Sequence, residues 1–208
     1  MSYRGVYQRV LSGQARAWAL EALTGRVAGR VAAVRHPLGF VCLPLERAGG
    51  EGVCLHLWST SLPRAESTTS QIHCHSWDLV SHVLYGQVRN VHALVTDTGS
   101  NATHRVFEVV STPDGDRISP TGRTVRHATG LVEVFGPGDT YRLPADRFHS
   151  SMVPEGGETA TIALGRGRPG SRDLSLGPLG AGAHHVSRQP LDAEETALAV
   201  RLIADRLT

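Results

Sequence analysis

Within the stretch Ile72-His-Cys-His-Ser-Trp-Asp-Leu-Val-Ser-His-Val-Leu-Tyr-Gly86, His73 and His75 stand two residues apart in an apolar, strand-like context. On a strand, residues i and i+2 point to one face, so the two imidazoles lie side by side. Such a pair grips one divalent metal ion once a third ligand arrives from elsewhere in the fold. Asp78, in the same stretch, is a candidate fourth ligand or a carboxylate that orients a ligand histidine. His82 falls on the outer face of a regular strand, and only a bulge would turn it inward. Trp77 is a candidate wall of a dry pocket, although aromatic side chains serve the core first. Cys74 alternates away from the histidines and is expected to be a packed free thiol.

These residues must be positioned by a chain of 208 residues with a formal net charge of +2. That length fits one domain with a real core. The basic residues are scattered, so no electrostatic footprint for nucleic acid or an anionic membrane is present, and neither is expected as a partner. Cys42, Cys54 and Cys74 are odd in number and widely spaced, which argues against a disulfide framework and against a thiolate zinc site. No charged leader followed by an apolar segment opens the chain, and no run of about 18 apolar residues occurs, so a soluble, cytoplasmic protein is expected.

From Val6 to about Val34 the apolar residues recur at spacings of three or four, which predicts two helical pieces, with Thr24 a candidate cap of the second. The segment should end at His36-Pro37, because proline disfavours helical geometry in the residue before it. The period then shortens. Strands are predicted over 38–45, 53–59, 87–96, 106–110, 130–135, 140–143 and 159–164, besides the histidine stretch. In the second of these Cys54, His56 and Trp58 share one face and Val53, Leu55 and Leu57 the other, which makes His56 a candidate pocket residue. Residues 111–129, with Pro113-Asp-Gly115 and Pro120-Thr-Gly122, read as turns, and 165–185, rich in glycine, as a loop. Asp192 with Glu195 three residues on has capping-box spacing, and Leu198, Leu202, Ile203 and Leu207 form the stripe of a last helix. Some eight short strands without helices between them favour a closed antiparallel barrel or a double-sheet jelly roll.

The chain resembles the cupin superfamily, whose metal site is written in two motifs. The first is usually Gly-x5-His-x-His-x3,4-Glu-x6-Gly. Here His73-x-His75 is followed at the glutamate position by Leu79 and at the last glycine by Gly86, while the leading glycine is absent. The second is usually Gly-x5-Pro-x-Gly-x2-His-x3-Asn, and Gly138, Pro144 and His149 keep its spacing, with Asp146 and Val153 at the other two positions. The resemblance spans about residues 38–165. It implies an all-β core, a cupin jelly-roll barrel, flanked by N-terminal helices and one C-terminal helix. The division it suggests is 1–36 as a helical segment packed on the barrel, 37–165 as the barrel, and 166–208 as a Gly-rich loop and helix.

The resemblance also supplies the third ligand, His149, beside His73 and His75. Three neutral imidazoles leave a divalent ion its full charge and an open face for a bidentate substrate and dioxygen or water. With Leu79 in place of the glutamate, a substrate bringing its own anion would restore charge balance. Cupins of this kind include thiol dioxygenases and dioxygenases that cleave diketones or gentisate-like rings, with iron(II). The expectation is therefore an iron(II) dioxygenase acting on a small anionic molecule, with Zn, Ni or Mn as other metals and a redox-neutral isomerase or lyase, or a non-catalytic binding barrel, as the alternatives. Tyr85, Asp78 and His82 are catalytic candidates. Arg89, Arg142, Tyr141, Trp77 and His56 are substrate-binding candidates. A homodimer through edge strands is the expected assembly.

Overall fold

A computed structural model of the chain describes residues 2–25, 32–112 and 114–208. The chain begins with α1 (Tyr3–Leu11) and α2 (Ala15–Thr24). There follow β1 (Val34–His36), β2 (Phe40–Ala48), β3 (Glu51–Trp58), β4 (His73–Cys74), β5 (Trp77–Tyr85), β6 (Val88–Asp97) and β7 (His104–Thr112). The second half contains β8 (Gly115–Phe135), β9 (Thr140–Leu143), β10 (His149–Met152), β11 (Thr159–Gly167), β12 (Leu174–Gly177), β13 (His184–Val186), β14 (Gln189–Pro190) and α3 (Ala193–Leu207). Every pairing is antiparallel, in two sheets ordered β14-β1-β2-β3-β11-β5-β9 and β13-β8-β6-β10-β4-β12-β7, with β7 also pairing to β8. This is a jelly-roll type of double-sheet core with flanking helices.

The first sheet is covered on both faces, so β5 and β11 are buried over most of their length. Val80 and Leu84 of β5 join Leu43, Leu55, Ile162 and Leu164 in a core completed by the helices, with Val6, Trp18, Leu23 and Ile203 among its members. The opposite face carries Leu79 and Val83, packed with Tyr141, Leu143 and Ala163 inside the barrel. A smaller cluster of Cys74, Val106, Val125, Phe148 and Leu176 fills the second sheet. No helix among the described residues is long and apolar enough to cross a membrane.

Several expectations are corrected. Thr24 is the last residue of α2, not a cap of a second piece; its hydroxyl donates to the Leu20 carbonyl. Residues 26–31 of that expected helix lie outside the described residues, and Val34 belongs to β1. The turn-rich reading of 111–129 gives way to a long hairpin, with its turn near residue 114 and β8 running through Pro120, Gly122 and Gly130. Pro120 is tolerated because the ladder shifts register between Arg105 and Phe107 opposite it, and the Thr121 hydroxyl donates to the Val106 carbonyl there. The expected loop 165–185 contains the end of β11, all of β12 and the start of β13; Leu174 and Leu176 anchor β12 between β4 and β7. The sheets thus draw in residues on both sides of the 37–165 span.

The last helix forms as its sequence indicates. The Asp192 carboxylate accepts from Glu195 N at 2.8 Å and Glu195 returns the bond to Asp192 N at 3.1 Å. Two otherwise orphaned donors are satisfied together. Ala199, Ile203 and Leu207 are buried beneath, with Leu198 and Leu202 partly so. Asp192→Ala should cost about 1 kcal/mol in chemical denaturation, against about 2–5 kcal/mol for the buried Ile203→Ala.

Candidate metal centre

β4 holds only His73 and Cys74, and its partner in β10 places His149 directly across from His73. Cross-strand neighbours have Cβ atoms about 5 Å apart, so this pairing alone brings two imidazoles together. His75 follows just past the strand end. The ring centroids stand 4.7 Å apart for His73 and His75, 4.5 Å for His73 and His149, and 5.2 Å for His75 and His149. One ligand atom from each lies within 4.8 Å of the others. Imidazole nitrogens bind such metals at about 2.0–2.1 Å, so the group fits a single ion at its centre. Cys74 points away into the core of the second sheet.

The tautomers follow from the hydrogen bonds. His73 Nδ1 is 2.9 Å from the Gln71 carbonyl, and His149 Nδ1 is 2.9 Å from the Arg147 carbonyl. A carbonyl only accepts, so Nδ1 carries the proton and the Nε2 lone pair is left for a metal. Burial keeps the rings neutral. It lowers the pKa of His73, takes that of His75 well below its ordinary value with help from His73 and His149, and takes that of His149 from 6.5 to about 3, with His73 adding to the effect.

The segment that delivers His149 is tied to the one that carries His75. Asp146 N donates to the His75 carbonyl at 2.9 Å, and Ala145 N donates to Asp78 Oδ1 at 3.0 Å. Asp146, at the motif position usually held by glycine, adopts φ 62°, and its carboxylate accepts from Ser171 Oγ at 2.6 Å. Asp173 accepts from Ser76 N at 2.6 Å, which ties the segment before β12 to the same place.

Asp78 therefore holds the His149 loop from outside and does not reach the ligand group. Its second oxygen accepts from Arg168 Nε at 2.6 Å, and the Ala145 N–H, then Arg168, hold its carboxyl below the usual range. The other candidates divide. His82 lies on the helix-facing side of β5 with its Nδ1 2.8 Å from Thr140 Oγ1. Tyr85 lies in the helix-side core and donates to Glu158 at 3.3 Å. Arg142 reaches the Tyr7 hydroxyl of α1, and Arg89 is exposed on β6. None of these lines the large cavity. Tyr141, Trp77 and His56 do.

That cavity has a volume of about 760 Å³, and its wall includes His73, His75 and His149. Trp77 stacks on His75 at 4.1 Å and 28°. It lies over Gly165, where a Cβ would stand 2.9 Å from the indole, so β11 carries glycine at this point. Leu79 lines the same cavity where the motif would have glutamate. Tyr141 stacks on Phe135 at 4.6 Å, and burial raises its phenol. The β2–β3 part of the wall carries Phe40, Cys42, Cys54, His56 and Trp58, with Arg47. Sequence reasoning passed over Phe40, Cys42 and Arg47. The alternation Phe40-x-Cys42 facing Cys54-x-His56-x-Trp58 was the available signal, readable once the two strands are paired.

No family model matches the chain, and no curated protein matches it. Solved structures similar to it include the polyketide cyclase RemF from Streptomyces resistomycificus, with 14% identity over 86% of this chain and 94% of that one and a TM-score of 0.40. An L-ribose isomerase from Cellulomonas parahominis is 14% identical over 98% of this chain and 96% of its own, at 0.40. An RmlC-like cupin from Shewanella frigidimarina is 12% identical over 68% and 88%, at 0.38. Likenesses this distant say nothing of what this chain binds or does.

Two outcomes follow. The unfolded chain binds a proton at His149 near pH 6.5, whereas the folded chain does so only near 3. Unfolding therefore takes up protons between these values, and this contribution to stability, intact above 6.5, is lost as pH falls. The Tm of metal-free protein should drop steadily below pH 6.5. Asp78→Ala, outside the cavity, should weaken metal binding by about 10–100-fold, the usual effect of losing a supporting residue, as read by competition with a chelator.

Proposed function

We propose that this chain is a cupin-type metalloenzyme, a non-haem iron(II) dioxygenase acting on a small anionic molecule that binds the metal directly. The observation that carries this reading is the convergence of His73, His75 and His149 at the wall of a cavity in which Leu79 occupies the carboxylate position of the motif. Zn, Ni or Mn would suit the same nitrogen ligands. Bound there, the ion supplies Lewis acidity and, as iron(II), access to dioxygen.

The residues of the chain do the rest. The three imidazoles add no negative charge, so a substrate anion is drawn to the ion without competition from a protein carboxylate. Arg47 lines the same cavity and offers a cation for the distal end of such a molecule, whereas Arg188 is engaged by Asp116 at 2.8 Å. Trp77 on His75 and Phe40 beside His56 make the wall apolar and exclude water. The Tyr141 phenol lines the cavity and, with its pKa raised by burial, stays protonated as a hydrogen-bond donor for a substrate. A reducing, cytoplasmic setting with dioxygen as co-substrate agrees with this chemistry, and a homodimer remains our expectation for its assembly.

The reading is tested by metal analysis and an oxygen electrode with thiol, diketone and hydroxy-acid substrates. Iron-loaded protein should consume oxygen with at least one of them, and His149→Ala should lose both its iron and that activity. Retention of full iron by His149→Ala, or no oxygen consumption with any substrate, would sink the proposal; turnover without oxygen would assign a redox-neutral reaction. Arg47→Ala should raise KM about tenfold with kcat little changed, as expected for an anchor worth about 1.4 kcal/mol in ground and transition states alike.

A further inference from the structure

Among the described residues a second group of three brings its ligand atoms within 4.8 Å of one another: Cys42, Cys54 and His56. The wide sequence spacing of the cysteines argued against a thiolate site, but spacing along the chain does not measure distance across a hairpin. β2 and β3 pair antiparallel with Cys42 opposite His56 and Pro44 opposite Cys54. Cys54 and His56, two apart on β3, share a face, and Cys42 meets them from the neighbouring strand. The histidine centre is built alike: His73 and His75 are two apart, and His149 faces His73 across a ladder.

From this geometry we propose that Cys42, Cys54 and His56 form a second metal site, for a thiophilic ion of the zinc(II) class, in the cavity that also contains the histidine centre. The ligand set determines the class. Two thiolates and one imidazole are soft donors that favour zinc or copper(I) over iron(II) and the hard cations. Two thiolates also balance the charge of zinc(II), so the site is neutral without help from a substrate. Three protein ligands leave the fourth tetrahedral position open, and all three residues line the cavity, so that position is offered to a small molecule within it.

The surroundings suit the role. Phe40 packs against His56 at 4.3 Å, Trp58 meets His56 edge-on at 6.0 Å, and Phe40 and Trp58 touch at 4.9 Å, so the imidazole is one corner of an aromatic cluster. His36 stacks on Phe40 at 4.4 Å and extends the cluster. Cys42 is buried and Cys54 half-buried, and neither is in a disulfide. On the helix side of β3, Val53, Leu55 and Leu57 are packed in the main core, so the strand cannot rotate to carry Cys54 and His56 away from the cavity. The proposal rests on its own ligands and is independent of the three-histidine reading.

Cobalt(II) titrated anaerobically into the reduced, full-length protein tests it, because only a thiolate ligand gives an intense sulfur-to-cobalt charge-transfer band in the near ultraviolet. The wild-type protein and His149→Ala should both develop the band. Cys54→Ala should lose at least about half of the band, and His56→Gln, which keeps both thiolates, should weaken zinc binding at this site by more than about a hundredfold, above the usual effect of losing a supporting residue, while the histidine centre still takes up metal. His56→Gln replaces a half-buried side chain and keeps the test open should the cysteine variant fold poorly, with circular dichroism as the control. Absence of the band from folded, reduced wild-type protein, or its persistence at full strength in Cys54→Ala, would overturn the proposal. Loss of metal from His149→Ala alone bears on the histidine centre and not on this one.

Discussion

The structure depends on one cross-strand contact, the pairing of His73 with His149 between β4 and β10. A two-residue strand contributes little stability of its own, so its register is imposed from both sides. β12 pairs with β4 through Leu174 opposite Cys74, and β6 pairs with β10 through His92 opposite His149. Slipping either partner by one residue would send the ligand to the opposite face. The contact is thus held by the second sheet as a whole, and the bonds from Asp146 N to the His75 carbonyl and from Ala145 N to Asp78 close the remaining freedom.

The first sheet solves a different problem. It must present a cavity wall on one face while finding enough apolar surface on the other for stability. The helices supply that second face: Val6, Val10, Trp18, Leu23 and Ile203 cover Val41, Leu43, Leu55 and Ile162. With its outer face sealed in this way, β3 can devote Cys54 and His56 to the interior. The division between stability outside and chemistry inside follows the strand alternation of β3 residue by residue.

Much of this was legible in the sequence, and the misses have physical causes. Strand alternation alone placed His73 and His75 together, and the spacing of Asp192 and Glu195 marked α3, because both signals are local. β8 was hidden because Pro120, Gly122 and Gly130 resemble turn residues. The first sits at a register shift. Gly130 lies where a Cβ would come within 3.1 Å of Leu94 and 3.2 Å of the His92 carbonyl, close to a second shift. Glycine there reports close packing between strands, not a turn. Asp78 was weighed as a ligand because proximity in sequence suggested it, but its parity on β5 opposes that of Leu79 and turns it outward. Which tyrosines and arginines reach the cavity depended on long-range pairing that no local pattern encodes.

The electrostatics of the cavity give Leu79 its meaning. A glutamate at that position would bring a negative charge to the edge of three buried imidazoles and neutralise part of any bound cation. Leucine instead packs with Val83, Tyr141 and Leu143 and leaves the site without that charge. Burial has already driven the imidazoles to their neutral form, so they compete for a metal and not for protons. The β2–β3 wall behaves differently: the hydrogen bond between the two thiols raises Cys42 and lowers Cys54, with His56 helping to lower the latter. One part of the cavity is thus neutral and nitrogen-rich, whereas the other is rich in sulfur. A small molecule entering it would meet two chemically distinct donor sets.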